Sequence, residues 1–141
     1  MNTSLIDTTS KTIKCLTLKQ PWAWAIFNLG KDIENRIWRT AYRGLLYIHA
    51  GKQFDDLGKL WILQRFNAVI PDNLETGCIL GSVEITDISR DSFGSRWSMS
   101  DQWHWKLRNP LLLNNPIETK GHLSLWDFKV PEDLLICRKE G

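Results

Sequence analysis

Apolar residues change their spacing three times along the first third of the chain, and each change marks an element. Residues 12–18 are rich in β-branched and apolar side chains and read as a strand. From Trp22 the apolar positions become Trp22, Ala25, Ile26 and Leu29, the i, i+3, i+4, i+7 spacing of one helix face. Pro21 stands just ahead, where a missing N–H costs a first helical turn nothing. Gly30 follows and is suited to end the helix in a left-handed conformation. Residues 32–38 return to a period of two. As a strand they put Glu34, Arg36 and Trp38 on one face and Ile33, Asn35 and Ile37, an apolar rib, on the other.

Beyond a basic turn at 39–44, residues 44–50 are almost continuously apolar, as a strand covered on both faces would be. Residues 54–66 return to helical spacing, with Phe54, Leu57 and Trp61 on one side, and 67–77 read as a loop. In 78–88, Ile79, Val83 and Ile85 face one way and Ser82, Glu84 and Thr86 the other. Residues 91–101 have loop composition but hold Phe93 and Trp97, which favours folding over a pocket. Trp103, Trp105 and Leu107 then alternate with polar residues in another strand, which Asn109-Pro110 and Asn114-Asn115-Pro116 punctuate. Residues 121–128 give a last strand, and a short tail with a turn of helix follows from Pro131. Five to seven strands with two good helices predict an α+β domain, a small, mostly antiparallel β-barrel with flanking helices over its ends. The expected limits are a flexible tail at 1–11, one domain at 12–130 and a C-terminal tail at 131–141.

Charge sharpens this picture. The net charge is only +2, but residues 11–52 carry eight basic and two acidic residues, while 55–101 carry four basic and eight acidic. A basic first half suits an anionic partner such as nucleic acid. Eight tryptophans must be shared between a core and a surface that uses rings. Cys15, Cys78 and Cys137 are odd in number and far apart, which supports neither a disulfide framework nor a zinc site. The first ten residues lack the charged and apolar blocks of a secretory leader, and no apolar run reaches membrane-spanning length. The expected setting is cytoplasmic, without a membrane, metal or cofactor.

The chemistry concentrates at Lys31, Glu34 and Arg36. Lys31 and Glu34 have the residue types of an acid/base pair, and equally those of an ion-pair network pinning a strand to a helix end. Asn35 adds a polar edge. Trp22, Trp38, Trp97 and Trp105 are candidate stacking platforms for bases. Lys19, Arg39, Arg43 and Lys52 are candidate phosphate contacts. His104, between two tryptophans, is a further candidate for the site wall, and His49 reads as structural. No hydrolase triad or phosphate-cradling glycine loop has the needed spacing.

Several of these segments resemble the ASCH domain family. They are Leu18-Lys19-Gln20-Pro21-Trp22-Ala23, Gly30-Lys31-x-x-Glu34-Asn35-Arg36-x-Trp38, Arg43-Gly44 and Ile48-His49-Ala50, then Ser95-Arg96-Trp97, Trp103-His104-Trp105 and Gly121-His122-Leu123-Ser124-Leu125-Trp126. They occur in the family's order, from about Ile13 to Phe128. The resemblance implies a PUA-like β-barrel with a cleft beside the first helix and second strand. It also implies binding of RNA or a modified nucleoside, or, alternatively, metal-independent hydrolysis of acetylated cytidine or of RNA. In the amidohydrolase branch a lysine, a threonine three residues later and a distant glutamate are thought to act. Lys31 matches the lysine and Arg36 a neighbouring arginine, but Glu34 stands where the threonine hydroxyl would be.

Overall fold

The structure, a computed structural model, describes residues 9–139. Most of the expected N-terminal tail, and with it most of the segment read as lacking a leader, lies outside the described residues. The elements run β1 (Ser10–Gln20), α1 (Trp22–Asn28), β2 (Ile33–Arg36), β3 (Gly44–Phe54), α2 (Asp56–Phe66), β4 (Cys78–Ser89), β5 (Trp103–Glu118) and β6 (Leu125–Pro131), then a 3-10 turn at Glu132–Leu135. The six strands form one sheet in the order β2-β5-β4-β3-β1-β6.

This sheet corrects the expected fold in two respects. It is mixed rather than mostly antiparallel, because β1 and β3 run parallel, Thr17 opposite His49 and Leu18 opposite Ala50. It is also an open sheet, not a closed barrel. The cause lies at the two edges that would have to meet. β2 is four residues long and pairs only with β5. β6 accompanies β1 only as far as Leu16–Leu125. Where that ladder stops, a side chain takes over, and Arg36 of β2 donates from Nη2 to the Thr17 carbonyl across 3.3 Å.

Apolar residues on both faces hold the layers together. On one face α1 sets Ala23 and Ile26 against Leu16, Leu18, Ile48, Val83 and Trp105. Trp105 is fully buried, with Trp38 edge-on at 4.9 Å, a geometry that adds about 0.5–1.5 kcal/mol beyond area burial. On the opposite face Ile13, Cys15, Tyr47, Ile79, Leu113 and Trp126 form a second cluster, reached by Leu135 of the terminal turn. A third joins Ala25 and Ile33 to Ile62 of α2 and to Trp97. Burial pushes the Cys15 thiol up to about 12 and the Cys78 thiol up to about 11. All three cysteines are free.

Local expectations fail where strands bend. Ile79 shares no cluster with Val83 and Ile85, because β4 shifts register between Ile79 and Gly81. β5 runs through both asparagine-proline punctuations as one strand, absorbing them as irregularities in its ladder with β4. Ile37 is 83% exposed, since β2 ends at Arg36 and the predicted rib stops with it. In α2, Phe54 precedes the helix and Leu57 is 79% exposed, so the packed side runs instead through Gly58 and Ile62. The last strand begins at Leu125, leaving 119–124 as a connecting segment.

Candidate functional site

The gap between β1 and β2 holds a cavity of about 550 Å³, within the range of small-molecule sites. Thr17, Leu18 and Lys19 of β1 line it, with Glu34 and Arg36 of β2, Gly51 and Gln53 of β3, and residues 121–124. Trp22, at the start of α1, also lines it. A second hollow of about 210 Å³ adjoins it, lined by Trp22, Lys31, Glu34, Asn35, Asp55, Met99 and Gln102. Trp22 and Glu34 line both and so form the partition between them.

Glu34 is the centre of the polar network. Its Oε1 accepts from Lys31 Nζ at 2.8 Å and its Oε2 from Arg36 Nε at 2.8 Å. Lys31 is 3% exposed and also donates to the Ile33 carbonyl at 2.5 Å. Burial alone would raise the Glu34 carboxyl, but the adjoining Lys31 and Arg36 charges and their hydrogen bonds outweigh it, and the carboxyl is held below its ordinary value. Glu34 is therefore an anion that organises two cations. It is poorly suited to donate a proton. The three groups together carry one net positive charge at the cavity wall.

Trp22 is fixed with equal care. Its indole N–H donates to Asp55 Oδ2 at 2.9 Å, while Asp55 Oδ1 caps α2 by accepting from Gly58 N at 2.9 Å. A Cβ on Gly58 would lie 2.6 Å from Trp22 Cζ2, so only glycine lets α2 come this close. Lys31 Nζ lies 5.6 Å from the ring centre. At the opposite wall, a Cβ on Gly121 would meet Thr17 Oγ1 at 2.8 Å and His49 Cε1 at 2.9 Å, so the 119–124 segment depends on glycine to lie against β1.

The structure thus gathers Lys19, Trp22, Lys31, Glu34, Asn35 and Arg36 at the two hollows. Asn35 ties down the 91–101 segment, donating to the Trp97 carbonyl and accepting from Met99 N. The other candidates lie elsewhere. Trp38 packs on Trp105, and Trp97 is 5% exposed and stacked 4.1 Å from Phe66. His104 spans the carbonyls of Asp91 and Met99 at 2.8 and 2.7 Å. Arg43 closes its own turn on the Thr40 and Tyr42 carbonyls, and Arg39 lies over Trp103. Thr17, Gln53 and Asp55 were missed. Thr17 alternates with Lys19 and was legible by that spacing; Gln53 and Asp55 were not, because β3 extends beyond the apolar run. Among the described residues no group of His, Cys, Asp and Glu is placed to hold a metal ion, and no helix is long and apolar enough to cross a membrane.

The family model of the ASCH domain matches residues 16–117. The chain belongs to the ASCH domain family. ASCH domains are PUA-like and generally associated with RNA binding. Two curated relatives agree with the assignment. Activating signal cointegrator 1 of Mus musculus is 30% identical over 125 residues, 79% of this chain and 22% of the relative. The protein of the same name from Homo sapiens is 28% identical with the same coverage. The chain thus spans about a fifth of the length of these relatives, and the matched ASCH segment holds β2, α1 and most of the cavity wall.

Proposed function

We propose that this ASCH domain binds single-stranded RNA, or a modified nucleoside, by taking one base into the cavity between β1 and β2. The carrying observation is the pairing of a fixed ring with a fixed cation network at one cavity. Trp22 is pinned by Asp55 and offers a stacking surface, while Glu34 holds Arg36 and Lys31 in place beside it. A preset site of this kind stacks a base and reads its polar edge, which is how single-stranded RNA is commonly recognised. Arg36 faces the edge of the base, and Lys19 at the rim takes a phosphate.

The experiment is equilibrium binding of a labelled short single-stranded RNA to wild type, Trp22→Leu and Arg36→Gln. Losing the indole should cost about 1–3 kcal/mol of affinity, and losing the guanidinium a similar amount. Unchanged affinity in both variants would sink the site. The hydrolytic alternative draws less support, because both Glu34 oxygens are engaged by cations and its carboxyl is held ionised. Turnover of acylated nucleosides by wild type but not by Lys31→Ala would reverse that ranking.

A further inference from the structure

Two arginines converge on one ring next to the strand that carries Arg36. Trp103 is the cross-strand partner of Arg36, so both side chains leave the β2–β5 ladder on the same face. Arg39, just after β2, holds its guanidinium 4.9 Å from the Trp103 ring centre, and Arg90, just after β4, holds its own at 4.7 Å. The two cationic carbons are therefore no farther apart than these distances laid end to end. Both arginines are exposed, and neither belongs to an ion pair among the described residues. The acids nearest Arg90 in sequence are turned onto local backbone: Asp87 accepts from Ile88 N and Asp91 from Phe93 N.

Two like charges against one ring repel, and the ring's own field offsets only part of that cost. Neighbouring phosphates of one strand, each engaging one of the two guanidinia, complete the arrangement. A guanidinium lying over a ring keeps its in-plane N–H fork free, and that fork matches phosphate oxygens. We propose that Arg39 and Arg90, carried on Trp103, form a phosphate clamp for the RNA backbone flanking the nucleotide whose base enters the cavity. The clamp rests on the RNA-binding reading above and extends it outside the cavity. Arg36 faces the base, and its strand neighbour Trp103 carries the cations that hold the next stretch of backbone.

The test is fluorescence anisotropy of a labelled short single-stranded RNA across a salt titration, with wild type, R39Q/R90Q, R39K/R90K and Arg36→Gln. Removing two phosphate contacts should lower the slope of log affinity against log salt by about 1.4, at about 0.7 per single-strand phosphate. Affinity at low salt should fall roughly tenfold or more. Lysine keeps the charge without the planar fork, so R39K/R90K should restore the slope but not the full affinity. The thermal midpoint should shift little, since both side chains are exposed and the lost ring contacts are offset by the relieved repulsion. Unaltered affinity and slope in R39Q/R90Q, with binding weakened by Arg36→Gln, would overturn the clamp and leave the cavity reading intact. Weaker binding at an unchanged slope would overturn the phosphate assignment. Absence of salt-sensitive RNA binding by wild type would overturn the clamp together with the reading beneath it.

Discussion

Glu34 and Glu84 both lie on strands that flank β5, and both accept from an arginine, yet their surroundings are opposite. The Glu34 side chain is 9% exposed and sits between Lys31 and Arg36, each at 2.8 Å. The Glu84 side chain is 33% exposed, and its partner Arg108, 69% exposed, lies at 3.1 Å. Water screens the second pair and could replace either member. It cannot do so for the first, where removing one charge strands another in the interior. The difference shows that what an ion pair contributes here depends on what remains when it is broken, not on its length.

The largest expected effect follows directly. Glu34→Ala leaves the Lys31 ammonium buried with only the Ile33 carbonyl as acceptor, and breaking such a pair costs about 3–5 kcal/mol. Chemical denaturation should show that loss as a lower midpoint. Replacing both members, as in Lys31→Met with Glu34→Gln, should cost less than Glu34→Ala alone, because the fully buried ammonium is gone and the charge that remains, on Arg36, is partly exposed to solvent. Equal losses would mean that the two side chains are not coupled.

The same network gives a pH signature. The folded carboxyl of Glu34 lies below its ordinary value of 4.5, so the folded state binds this proton less readily than the unfolded chain. Its contribution to stability is then fully present above about pH 4.5 and is lost as pH falls through the lowered folded value. The stability gap between wild type and Glu34→Gln should be constant at neutral pH and shrink only in acid. A gap that does not change on acidification would contradict the assignment.

Asp55 is an intermediate case, a half-buried carboxylate with one oxygen on Trp22 and the other on the start of α2. Asp55→Ala removes an N-cap and an indole hydrogen bond, for a combined cost of about 1–3 kcal/mol. It should also weaken RNA binding, because Trp22 loses its anchor, whereas removal of a surface carboxylate should not. Full RNA affinity in a destabilised Asp55→Ala would separate the cap from the proposed platform.

What was legible beforehand follows the same division between short-range and long-range causes. Trp22, Ala25, Ile26 and Leu29 announce α1, Gly30 adopts its left-handed conformation at φ 66°, and the segment from Lys31 to Arg36 declares its own network. These follow from chain-local spacing. The open sheet does not, since it depends on where β6 leaves β1 and on how short β2 is, and neither edge carries a signal of its own. Nor does the route of β5 through two prolines, which bulges permit and turn statistics oppose. Trp97 and Trp38 looked like ligand walls because they neighbour loop and charged residues. Their actual neighbours, Phe66 and Trp105, lie 31 and 67 positions away along the chain, a separation that no local pattern encodes. Arg90 was invisible for the same reason, as its convergence with Arg39 on Trp103 exists only once β4 and β2 flank β5.

The smallest effect belongs to Glu84. Glu84→Gln leaves Arg108 in water, where an exposed pair contributes about 0–1 kcal/mol, and the glutamine keeps a weaker hydrogen bond to the same guanidinium. Its loss should fade further in high salt, because exposed charges are screened over about 10 Å at 0.1 M ionic strength. The Glu34→Ala loss should hardly respond to salt, since no counterion reaches a side chain as enclosed as Lys31, which is 2% exposed. Measuring both variants at low and high salt therefore tests the comparison itself. If the Glu34 effect were screened as strongly as the Glu84 effect, the network would be open to solvent, and the cavity wall would not be the rigid surface that recognition of a base requires.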